Sequence, residues 1–123
     1  RNEELLKIQN KYFEKSGNRD KIIQLTGNAI DILDNLNQTF DLIFIDADKE
    51  NYIKYFQLVS EKLNPNGIII SDNVLWSGKV VEGDNNDEET DTLKKFNRIL
   101  NEDSRFETVI LPIRDGISIS RLI

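Results

Sequence analysis

The run DLIFIDADKENYIKYF, residues 41–56, passes from five mostly apolar residues directly into Asp46, Asp48 and Lys49. Further along, GIIIS is followed at once by Asp72 and Asn73. Carboxylates, amides, amines and hydroxyls are the groups left for chemistry, because the chain contains no Cys and no His. That composition removes a thiol nucleophile, a zinc knuckle, a disulfide framework, and the commonest general base and metal ligand. If the two apolar runs are neighbouring strands, about 5 Å apart in the hydrogen-bonding direction, Asp46, Asp72 and Asn73 bring three hard oxygens to one point. Such oxygens form half an octahedral site for Mg²⁺ and leave its other positions to water or substrate. Asp-Asn after a strand is also ordinary turn chemistry, and from spacing alone both readings stand.

Positioning these residues requires a sheet. Leu5, Ile8 and Tyr12 recur at helical spacing and stop at Ser16-Gly17, which predicts a helix with a C-terminal glycine. KIIQLTG reads as a strand. Asn28 is the expected N-cap of a short helix carrying Ile30, Leu33 and Leu36, and DLIFID is the next strand. Tyr52, Ile53, Phe56, Val59 and Leu63 mark a helix that must end before N-P-N-G, where Pro65 and Gly67 forbid continuation. GIIIS is a third strand. VEGDNNDEETD from Val81 reads as a solvated loop, and Leu93, Phe96, Ile99 and Leu100 as an amphipathic helix. FETVILPI and GISISRLI form an expected antiparallel pair around Arg114-Asp115-Gly116. Helix and strand alternate, and the central strands are apolar on both faces, so the class is α/β with a sheet covered on both sides. In such sheets ligands gather beyond the carboxyl ends of the strands, where Asp46, Asp72 and Asn73 fall.

Size and charge narrow the function. A chain of 123 residues suits one domain. Lys and Arg number 16 against 22 Asp and Glu, a net charge of −6, which argues against DNA and other phosphate-tracking partners. The sequence has no apolar run near the roughly 18 residues of a membrane span and no signal-peptide pattern, so a soluble cytoplasmic protein is expected. The chain begins at Arg1 and contains no Met, so it is expected to be a piece of a longer product.

FIDADKENYIKYF, then GIIISDNVLWSGKVV and later LPIRDGISISRLI, resembles the cation-dependent class I O-methyltransferases that act on catechols and caffeoyl-coenzyme A. RNEELLKIQNKYF and LTGNAIDIL match the preceding segments of that family more loosely. The resemblance implies a Rossmann-like doubly wound sheet, mostly parallel with a C-terminal antiparallel hairpin. It implies S-adenosylmethionine as methyl donor, a divalent cation such as Mg²⁺, a small hydroxylated acceptor and a homodimer. It assigns the ion to Asp46, Asp72 and Asn73, and the removal of the acceptor's proton to Lys49. Asp46 faces both the ion and the donor. Ala29, Asp48 and Tyr55 match donor-binding positions, and Trp76 and Ser77 match the loop that lines the acceptor pocket. An exposed helix-start lysine and a core tyrosine are the plain alternatives for Lys49 and Tyr55.

The sequence departs from the family at one point. The Gly-rich donor loop and the ribose-binding acidic residue of the family's first two strands have no counterpart here. Residues 1–123 therefore match the C-terminal portion of a single methyltransferase domain, lacking its first strands. Two other functions stay open: a relative that methylates hydroxyuridine in transfer RNA, and a receiver-like Mg²⁺-binding signalling module. The second would need an acidic pair after the first strand and a lysine after the last, and neither is present.

Overall fold

The computed structural model describes residues 3–82 and 87–123. Helix α1, Glu3–Lys15, ends as its sequence predicts, with Ser16 N donating to Tyr12 O at 3.0 Å and Gly17 at φ +68°. Its apolar residues Leu5, Ile8 and Tyr12 are all at least half exposed. The predicted strand KIIQLTG does not form. A strand exists by exchanging hydrogen bonds with a neighbour, no described strand lies beside residues 22–26, and Ile23 is 78% exposed there.

Asn28 caps helix α2, Ala29–Asn35, by accepting from Ile30 N at 2.9 Å. Strand β1, Phe40–Ile45, leads through a 3₁₀ turn, Lys49–Asn51, into helix α3, Tyr52–Ser60. Strand β2 spans Leu63–Asp72 and so begins earlier than GIIIS, taking in the N-P-N-G segment. The segment is accommodated as an irregularity in the ladder. The register jumps from Phe40↔Leu63 to Leu42↔Ile68, Asn66 sits at φ +64°, and Pro65 is exposed where no donor is needed. A 3₁₀ stretch, Trp76–Val81, follows β2. Part of the acidic stretch expected as a loop, residues 83–86, lies outside the described residues. Asp87 caps helix α4, Glu88–Glu102, whose first turn carries Glu88, Glu89 and Asp91 toward the positive end of its dipole.

Strands β3, Phe106–Leu111, and β4, Ile117–Leu122, form the predicted hairpin. The strand order is β1-β2-β4-β3, with β1 and β2 parallel and the other two pairs antiparallel. The sheet is thus mixed rather than mostly parallel among the described strands, because the hairpin sets β4 directly against β2. Helices α3 and α4 pack on one face, where Tyr52, Phe56, Leu93, Phe96 and Leu100 meet Ile45, Ile69 and Phe106. The Phe96 ring lies edge-on to Tyr52 at 5.3 Å and to Phe56 at 6.0 Å. Cross-strand partners Phe44, Ile70, Ile119 and Val109 line the opposite face, where Phe44 is 57% and Val109 51% exposed. Cover on both sides, expected from the apolar strands, is not seen here among the described residues. No described helix is long and apolar enough to cross a membrane.

Candidate active site

Strands β1 and β2 run parallel and in register, Ile45 beside Ser71, so the residues that follow each share one rim. Asp46 follows β1, Asp72 ends β2, and Asn73 turns the chain away at φ +58°, a left-handed conformation that Asn tolerates better than most residues. The turn is fixed by Asn73 N donating to Asp72 Oδ1 at 2.7 Å. The turn reading and the oxygen-donor reading of this pair are therefore compatible: one Asp72 oxygen serves the turn.

Lys49 occupies the centre of the rim. The residue is 5% exposed, with Nζ donating to Asn73 Oδ1 at 3.1 Å and Asp72 O at 3.4 Å, and lying 3.8 Å from Asp46 Oδ1. It also donates to the Tyr52 hydroxyl. Burial pushes the ammonium's pKa below the ordinary lysine value, opposed by the carboxylates of Asp46, Asp72 and Asp115. An exposed lysine at a helix start is thereby excluded. The cation lies 4.3 Å from the Tyr52 ring centroid and 5.9 Å from that of Trp76.

Among the described residues no cluster of three His, Cys, Asp or Glu side chains is placed to hold a metal. What the rim offers is two carboxylates and the amide oxygen of Asn73. Oxygens of Asp46 and Asn73 already converge on one cationic nitrogen, so in donor chemistry and charge the set suits a hard divalent ion.

Beside the rim lies an open cavity of about 370 Å³, lined by Ala29, Asp48 and Tyr55 together with Gly27, Asn28 and Asn51. Asp46 lines a neighbouring cavity of about 260 Å³ that shares Ala29 and Tyr55. Tyr55 donates to Asp48 Oδ1 at 2.7 Å, and Asn51 donates to Asp48 Oδ2. These two donors, Asn51 first, hold the Asp48 carboxyl below its usual range. Tyr55 is both buried and hydrogen-bonded, so packing does not account for its hydroxyl.

Trp76 and Ser77 follow β2 in the 3₁₀ stretch, and neither lines that cavity. They adopt φ +49° and +54°, and Gly78 +83°, so the chain doubles back in a run of left-handed residues. The carbonyls of Asp115 and Gly116 accept from Leu75 N and Val74 N at 2.9 and 3.1 Å, and the Asp115 carboxylate accepts from Ser77 N. Asn97 donates to Val74 O at 2.8 Å. Ser77 is exposed and Trp76 partly buried.

Sequence reasoning missed Tyr52, which it took as helix packing, and Asp115, which it took only as a turn residue. The i, i+3, i+6 spacing of Lys49, Tyr52 and Tyr55 at the start of α3 was a usable signal, because such residues stack on one helical face.

A family model described as O-methyltransferase matches residues 1–123. Caffeoyl-CoA O-methyltransferase 1 of Eucalyptus globulus is 37% identical over 121 residues, covering 89% of this chain and 49% of the relative. The chain thus spans about half the length of the curated relatives it matches. An O-methyltransferase from Bacillus cereus, solved in complex with SAH, superposes with a TM-score of 0.88 at 27% identity, over 99% of this chain and 60% of that one. An SAH-bound methyltransferase from Podospora anserina gives 0.81 at 33% identity, over 92% of this chain and 54% of that one. These matches overturn the receiver-like alternative.

Proposed function

The chain belongs to the O-methyltransferase family, and from that premise we propose that it takes part in methyl transfer from S-adenosylmethionine to a hydroxyl of a small catechol-like or phenylpropanoid acceptor. In this reading residues 1–123 are the C-terminal portion of a methyltransferase domain in a cytoplasmic homodimer. The observation that carries it is the convergence on Lys49 Nζ of oxygens from Asp46, Asp72 and Asn73, beside a cavity walled by Ala29, Asp48 and Tyr55.

Asp46, Asp72 and Asn73 would hold the divalent cation. When bound, that cation acidifies and orients an acceptor hydroxyl, and the sulfonium donor supplies the methyl group. The chain's own residues do the rest. Lys49 accepts the hydroxyl proton at Nζ, a role that needs the neutral amine and is favoured by its burial. Asp48, held in place by Asn51 and Tyr55, and the backbone at Ala29 bind the donor. Trp76 and Ser77 border the acceptor and restrict the approach of water. Asp46 presents negative charge toward both cations.

The test is Asp72→Ala in the full encoded chain. Loss of ion-dependent methylation with an unchanged circular dichroism spectrum is the expected result. A variant that keeps its rate through chelation and Mg²⁺ titration would show that this oxygen set does not hold the ion.

A further inference from the structure

Tyr52 stands where the two strand ends meet, and packing alone does not require its hydroxyl. The ring is fully buried and edge-on to Phe96, a site that phenylalanine would fill equally well. A buried hydroxyl without partners is unfavourable, and this one is engaged on both sides. It donates to Asp72 O at 2.8 Å, with Ile45 O at 3.3 Å as a second acceptor, and it accepts from Lys49 Nζ. One oxygen therefore joins the last residue of β1, the last residue of β2 and the central cation of the rim.

We propose that Tyr52 is a positioning residue whose hydroxyl anchors Lys49 Nζ at the centre of the rim. The inference rests on the role of Lys49 given above. A lysine ammonium on its flexible four-carbon stem follows the nearest anion, and here that anion is Asp46, whose side chain is 55% exposed. Without the anchor, Nζ would swing toward Asp46 and water. The Tyr52 hydroxyl opposes that swing from the buried side, through a ring that α4 holds rigidly. Tyr52→Phe isolates the effect, because the ring face beneath the ammonium stays and only the oxygen goes.

Two measurements on the full encoded chain decide the matter. The first needs no substrate: amine labelling read by mass spectrometry should find Lys49 protected in the parent and modified several-fold faster in Tyr52→Phe. The second is a double-mutant cycle assayed with S-adenosylmethionine, Mg²⁺ and a catechol. Misplacing a reacting group by about 1 Å typically costs on the order of a hundredfold, so Tyr52→Phe should lower kcat about tenfold to a hundredfold, with the donor KM nearly unchanged and the protein still folding cooperatively at a lowered thermal midpoint. The same substitution should cost nothing further in a Lys49→Ala background. Labelling at the parent rate, or losses that add in the double variant, would overturn the anchor. Full activity in Lys49→Ala would instead remove the base from the proposed reaction, and the labelling rate alone would then decide whether Tyr52 holds Nζ.

Discussion

The Tyr55 hydroxyl donates to Asp48 Oδ1 at 2.7 Å, so a residue of α3 fixes the carboxylate of the turn that precedes it. The bond moves the pKa values of its two groups in opposite directions. Asp48 is held below 3.8, chiefly by Asn51 and Tyr55. Tyr55 is pushed up to about 12 by burial and by the bond to Asp48.

Two pH windows follow from that pair. The depressed carboxyl contributes stability that is present above about 3.8 and lost as pH falls through its lower folded value. The raised phenol contributes stability that is present below 10 and lost as pH rises toward about 12. Tyr55→Phe should remove the Tyr55 share of the alkaline loss, leaving that of Tyr52, whose phenol burial also pushes up, and move the Asp48 titration upward by NMR. With one of two donors gone, affinity for S-adenosylhomocysteine should weaken by about 1 kcal/mol, roughly fivefold. Unchanged Asp48 titration would show that Asn51 alone sets it.

Lys49→Ala should lower turnover on the order of 10²- to 10⁴-fold at neutral pH. The parent rate should rise with pH through a lysine pKa below 10.5, since the neutral amine is the active form. For stability the sign is the same. A lysine whose folded pKa is depressed binds fewer protons folded than unfolded between the two values, so stability rises with pH across that window. Lys49→Met should remove that slope in denaturant titrations, and a slope that persists would place its origin elsewhere.

Gly116 sits at φ +82°, with its carbonyl on Val74 N, and a Cβ there would overlap the Leu75 side chain, whose own Cβ would be 2.9 Å away. Gly116→Ala should cost about 1–3 kcal/mol through left-handed strain and displace the Trp76 loop. Trp76 is the sole tryptophan, so its emission reports the displacement directly. A shifted spectrum with a raised acceptor KM is the expected pair of results. A lowered melting temperature with unaltered emission would confine the effect to the hairpin.

Local rules made much of this fold legible. The Asn28 cap, the Ser16-Gly17 stop and the hairpin around Gly116 each depend on residues within a few positions of one another, and all three formed as expected. KIIQLTG failed because strand identity is lent by a neighbour, which its own residues cannot supply. N-P-N-G was misplaced because the β1 ladder extends past Gly67 to Leu63 and absorbs the proline as an irregularity. At the rim, the shared placement of Asp46, Asp72 and Asn73 was legible because parallel strands end together, whereas Lys49 was singled out by the family resemblance. Tyr52 was not, because its apolar ring fits the helical pattern and gives no sign that its oxygen reaches two strand termini.

The rim is joined from residues remote in the chain. Lys49 and Asn73 are 24 positions apart, and Ser77 reaches Asp115 across 38. Closure of those intervals costs chain entropy before any such contact forms, whereas the β3–β4 hairpin closes over a short turn. The rim is therefore expected to assemble late in folding and to open early in unfolding. Substitutions such as Asp115→Ala should steepen escape from the native state and leave the refolding rate nearly untouched, visible as movement of only the unfolding arm of a chevron. With refolding untouched, the whole loss of stability appears as faster exit from the native state, so that carboxylate sets how long the rim stays assembled.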